Sequence, residues 1–294
     1  MKRLFLAAAF VVALLVPSAA LAAPHSPTGE FAEFNDCPLS RATLDSCLFS
    51  KTTSGTVTIG SKAVPIKNPV ILQGGLEWPD TETVFSTNLQ FFGAEDGNTL
   101  TKAAQPVPGG LLGITAPSWW PQILKDLFNE TINNGFTGIT STVELAAPAS
   151  SVKVNVLNML SANGTALKLP VKVKLSNPFL GNNCYIGSNS NPMIWNLTTG
   201  TTAPPAPNKP ISGNPGTVSS NELGSLITVT GNKLVDNSFA APGASGCGGI
   251  LFSWAVDPLV NSISGVPAPA GTNTAILEGS TKLADPVAVR ASEP

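Results

Sequence analysis

The sequence predicts a mainly β fold: an antiparallel β-sandwich or barrel-like fold with two short amphipathic helices, stapled by disulfides. Three observations predict it. From Leu167 to Leu175 apolar residues alternate strictly with lysines and one proline, the signature of a strand with one face on a core and one in water. The chain holds 27 Gly and 26 Pro with only 12% charged residues, a composition suited to short strands and many turns. Four cysteines, an even number, suit an oxidising compartment and two disulfides.

The compartment follows from the first residues. Lys2 and Arg3 precede an unbroken apolar run from Leu4 to Val16, and Ala20-Leu21-Ala22 forms a small-x-small cleavage site. This reads as a signal peptide over residues 1–22; the run is too short to span a bilayer. Residues 23–50 are expected to be an N-terminal arm and disulfide loop, with Ala23 to Asn35 loose, and residues 51–294 a β-rich domain. The expected localisation is secreted, extracellular or loosely cell-wall associated, with no membrane span after signal removal. Removing Lys2 and Arg3 leaves 14 basic residues against 18 acidic, a net charge of −4. The charges are sparse and scattered, which argues against a nucleic-acid partner.

Three disulfide pairings are possible. Cys37 and Cys47 flank a short Pro-containing turn, which favours joining them and leaves Cys184 with Cys247. On the loop-entropy model the two are worth roughly 3 and about 4 kcal/mol. Neither a C-x-x-C pair nor a nearby histidine supports a metal or redox role.

Along the chain, strands are expected at Thr56–Ile59, Val64–Leu72, Val84–Phe92, Thr99–Ala103, Gly138–Leu145, Val152–Leu160, Leu167–Leu175, Met193–Leu197, Leu226–Thr230 and Thr272–Leu283. Pro65 and Pro69 place the second on an edge. Asn163-Gly164 reads as a hairpin tip. One helix is expected over Trp119–Ile132, capped by Ser118, with Pro121 in its first turn and Gly135 at its stop. It is expected to lie as a lid on a sheet, burying Leu124 and Leu127 and turning Lys125, Asp126 and Glu130 outward. A second helix is expected to begin at Asp257-Pro258. Each helix follows a doubled glycine and precedes a strand, a loose repeat that fits either two similar halves of the domain or coincidence.

Catalytic signatures are missing. His25, the sole histidine, sits beside the cleavage site, which leaves a histidine-based triad without a base. Ser150 and Lys153 match S-x-x-K without its companion motifs. Glu77-Trp78-Pro79-Asp80 with Glu82 supplies the residue types of a glycosidase, but reads as a solvated turn. Glu95-Asp96-Gly97 lacks calcium-loop spacing. No catalytic, cofactor-binding or metal-binding residue is therefore assigned, and no cofactor is expected.

At LSNPFLGNNCYIGSNSNPMIWNLTTGTTAPPAPNKPISG and VDNSFAAPGASGCGG, the chain resembles uncharacterised secreted proteins of high-GC Gram-positive bacteria (Actinobacteria). The resemblance runs from about Leu175 to Leu277 and implies no activity. It supports the Cys184–Cys247 pairing, since both cysteines lie in its densest parts.

The expected role is thus structural or interaction-based, in the extracellular space or cell envelope, with the cell wall or another secreted protein as partner. A non-enzymatic role is favoured over an enzymatic one. Two alternatives stand beside it: a binding module for an apolar small molecule or lipid, and a carbohydrate-binding or carbohydrate-active protein. Trp78, Trp119, Trp120 and Phe128 are the candidate ligand-facing residues.

Overall fold

Strand β8 (Leu167–Ser176) is the axis of one sheet. Its apolar residues Leu167, Leu169, Val171, Val173 and Leu175 are buried, while Lys168 is exposed and Lys172 and Lys174 are half-buried, as the alternation requires. One edge of β8 pairs with β6 (Thr140–Leu145) and the two-residue β7 (Lys153–Val154). The other pairs with β10 (Met193–Leu197) and the short β9 (Tyr185–Ile186). Beyond these, β5 (Gln105–Pro106) and β13 (Ala244–Ser245) extend the sheet.

The computed structural model describes residues 25–78, 89–110, 117–133 and 137–294, with side chains omitted for 128–133. The expected signal peptide, most of the expected Val84–Phe92 strand and the expected Gly135 stop lie outside the described residues.

The second sheet runs β11 (Thr217–Ser220), β12 (Leu226–Asp236), β14 (Thr274–Ala284), β1 (Ser46–Ile59), β3 (Val70–Glu77) and β4 (Gln90–Gly93). A further strand, β2 (Lys62–Pro65), pairs only with β1, so Pro65 lies at an edge. All strand pairings in both sheets are antiparallel, and the main core lies between the sheets.

β14 carries a local constraint. On one side, register with β1 shifts between Thr52 and Ser54; on the other, register with β12 shifts between Thr230 and Asn232. Both bulges fall at the level of Gly279, which pairs with Thr52 and Asn232. A Cβ at Gly279 would overlap the Lys51 carbonyl, so this position needs glycine. Each extra residue also reverses strand parity. Core-facing residues of β1 are thus Leu48, Ser50 and Thr52 before the bulge and Val57 and Ile59 after it.

At the other end of β1 both sheet faces are covered. Cys47 and Phe49 point away from the main core, into a smaller cluster with Phe31, Phe34, Leu39, Leu44 and Val289. The expected loose arm is therefore packed: Gly29–Phe34 forms a 3₁₀ turn that buries Phe31 and Phe34, and the Phe34 ring meets Phe49 edge-on at 6.3 Å. His25 bridges Glu95 (2.9 Å) and Glu293 (2.7 Å), joining both ends of the described chain. Composition alone hides this, because two phenylalanines suffice to anchor an otherwise polar segment.

Both expected disulfides are present, Cys37–Cys47 and Cys184–Cys247. Four helices accompany the sheets among the described residues: α1 (Gln122–Asn133), α2 (Val156–Ser161), α3 (Gly249–Ser264) and α4 (Pro286–Ala291). α2 replaces most of the expected Val152–Leu160 strand. The Asn155 side chain accepts a hydrogen bond from Asn158 N–H and caps it, and Ala162 ends it in a left-handed conformation. Asn163-Gly164 consequently follows a helix and is not a hairpin tip. α3 starts well before the expected Pro258, because the Asp257 carboxylate serves the preceding loop, accepting from the N–H groups of Cys247 (2.7 Å) and Gly246 (3.2 Å). α4 adds a helix beyond the two expected; Asp285 caps it and Pro286 opens it, a recognised start signal.

Phe34→Ala should destabilise the protein by about 3–5 kcal/mol, measured by urea unfolding; a change near zero would restore the loose-arm expectation.

Candidate functional site

A cavity of about 120 Å³ lies between the two sheets. Val57, Ile59, Leu72, Leu234 and Leu277 line it from the sheet built on β1 and β14; Val143, Leu169, Val173, Leu175, Ile186 and Trp195 line it from the sheet built on β8. Val260, Ile263 and Ser264 of α3 close one part, and Gln105, Val107 and Gly110 another. Its size is close to that of the ~150 Å³ engineered apolar cavity that takes up benzene.

The cavity has a local cause. Ser50 and Thr52, small polar residues just before the β1 bulge, line it. Ser50 Oγ meets Thr281 Oγ1 at 2.9 Å, and Asn232 Nδ2 donates to Thr281 Oγ1 at 3.1 Å. Small polar side chains thus satisfy one another across three strands where large apolar ones would be needed to close the gap. Gln105 is also engaged: its Oε1 accepts from the N–H groups of Lys67 (2.8 Å) and Asn68 (2.9 Å), and its Nε2 donates to the Asn68 carbonyl (2.7 Å).

Two lining groups differ. Trp195 is 2% exposed, and its Nε1 is one of two buried side-chain polar atoms without a hydrogen-bond partner among the described residues. Its ring is tilted against Phe239 at 5.9 Å. Lys62 is the one charged residue among the described lining residues.

The expected ligand-facing tryptophans lie elsewhere. Trp78 is half-buried at the margin of the core, with its backbone N–H donated to Asp45 (2.8 Å). Trp119 is 80% exposed and meets the half-buried Trp120 edge-on at 6.1 Å. None of the three lines the cavity; the Phe128 side chain lies outside the described residues. Trp195 is absent from the expected set. Its signal is its place in Met193–Leu197, where alternate residues 193, 195 and 197 are buried.

The lid expectation for α1 fails. Ile123, Leu124 and Leu127 are exposed, while Lys125 is only half-buried. α3 likewise exposes Ile250, Leu251, Phe252 and Trp254. The helical stripe is present, but apolar periodicity does not state what a stripe faces.

The catalytic candidates do not assemble. Glu77 accepts from Thr43 Oγ1 (3.0 Å) and pairs with Arg41 (3.5 Å); Asp80 and Glu82 lie outside the described residues. Lys153 Nζ donates to the Ser150 carbonyl, not to its hydroxyl. Asp96 accepts from Asn98 N–H in a turn. Burial, then Asp96, raises the Asp36 carboxyl above its usual range, and burial, then Glu144, raises the Tyr185 phenol. Neither group lines the cavity. Among the described residues, no cluster of three or more His, Cys, Asp or Glu side chains could hold a metal, and no helix is long and apolar enough to cross a membrane.

Comparison with protein-family models, curated proteins and solved structures finds no match.

Leu124→Ala should shift stability by no more than about 0.5 kcal/mol, whereas Leu76→Ala, at a fully buried position, should cost about 2–5 kcal/mol. Thermal and urea unfolding compare them; a large loss at Leu124 would show that α1 packs by its apolar face.

Proposed function

We propose that this chain is a secreted actinobacterial binding module that carries an apolar small molecule or a lipid chain between its two sheets. The observation that carries the proposal is the inter-sheet cavity, lined mostly by aliphatic side chains. A rigid apolar space takes up matching ligands because burial removes their surface from water. The signal-like leader and two disulfides suit an oxidising, extracellular setting. An envelope interaction role is a second reading, favoured by the exposed apolar side chains of α3, with Ile250 98% exposed and Trp254 79% exposed.

Protein secreted into the medium and purified without detergent should release a small apolar mass when denatured after native mass spectrometry. Val143→Phe, projecting into the cavity, should abolish uptake while changing stability by no more than about 1–3 kcal/mol. A bare protein mass, together with no uptake of added alkyl probes by the wild type, would overturn the carrier reading.

A further inference from the structure

We infer that the ligand is an acidic amphiphile: an apolar ring or aliphatic chain that presents a hydrogen-bond acceptor to the Trp195 indole and a negative charge to Lys62. The inference rests on the carrier reading and narrows it. A purely hydrocarbon ligand would leave both groups unused. An indole N–H buried without a partner forfeits a hydrogen bond that it would make in water, and native interiors leave few such groups. Trp195 lies on β10, paired with Leu169 of the central strand β8, so its backbone position is fixed by the ladder. Its unpartnered Nε1 belongs to a cavity-lining side chain, and an acceptor brought in by a ligand would satisfy it.

Lys62 supplies the sign of the charge. It is the first residue of β2, opposite Ile59, and is half-buried. Its side chain makes no ion pair or hydrogen bond among the described residues, unlike those of Lys172, Lys233 and Lys282, which pair with Glu144, Glu278 and Glu33. The position is held firmly. The turn before it is tied to the C-terminal end of α3, with Ser61 N–H donating to the Ser264 carbonyl (2.9 Å) and Ser61 Oγ to the Ile263 carbonyl (3.1 Å). Ile263 and Ser264 themselves line the cavity. A lysine beside an apolar cavity with no carboxylate in its lining selects an anion over a cation. No lining carboxylate among the described residues would favour the reverse.

Isothermal titration of the mature protein with octanoate, octan-1-ol and octylamine at neutral pH tests this. Octanoate should bind most tightly and octylamine least. Lys62→Met should weaken octanoate about 3- to 5-fold, as expected for a partly exposed charge pair, leave octan-1-ol unchanged, and be rescued by Lys62→Arg. Trp195→Phe keeps the ring and removes the N–H; it should weaken octanoate and octan-1-ol about 3- to 10-fold. Unfolding midpoints close to wild type show that the variants are folded. If the probes bind but octylamine matches octanoate, or either variant binds octanoate like the wild type, the inference falls and the carrier reading stands. If no probe binds the wild type, both fall.

Discussion

The close approach of three strands at Gly279 is the constraint on which the rest of the structure depends. β14 is the central partner of both β1 and β12, and both neighbours add a residue at the level of this glycine. A side chain there would collide with the Lys51 backbone. The bulge in β1 reverses its parity, so even-numbered residues face the main core before it and odd-numbered ones after it. Leu48 enters the main core before the bulge, and Val57 and Ile59 enter it afterwards, while Cys47 and Phe49 anchor the smaller cluster on the opposite face.

The same constraint explains the cavity. Next to the bulge the wall is made by Ser50 and Thr52, with Thr281 bonded behind Ser50, and these do not present the bulky aliphatic side chains that fill most sandwich cores. Its hydroxyls satisfy one another, so the region is stable without being filled. On the facing sheet β8 keeps unbroken register with β6 and β10 and is apolar on its inner face. The space between the sheets has mostly aliphatic walls, and α3 closes part of it with Val260 and Ile263. A binding reading therefore grows out of backbone geometry and needs no catalytic group.

Much of this architecture is legible in the sequence, for identifiable reasons. The lysine-apolar alternation of β8 states both conformation and orientation. The Cys37–Cys47 spacing states a local disulfide, and Pro65 states an edge. What stays hidden depends on single residues whose effect is set by distant partners. The helix at Val156–Ser161 turns on the Asn155 cap, in a segment whose apolar pattern fits a strand equally well. The start of α3 turns on Asp257 bonding a loop ahead of it. The bulges leave no local signal, since Thr53 and Gly231 acquire meaning only beside Gly279. The site is hidden for a related reason. Tryptophans weighed by their helical or turn-like neighbours single out the exposed Trp119, whereas Trp195 sits inside an ordinary alternating strand.

The binding reading depends on a lasting apolar space between the sheets. The most direct measurement is a crystal of the mature protein pressurised with xenon, a gas that occupies dry apolar cavities. The expected result is xenon between β6 and β8 on one side and β1 and β2 on the other, within contact of Val143 and Ile59. Closed sheets with Val143 packed directly on Ile59, and no xenon between them, would contradict it.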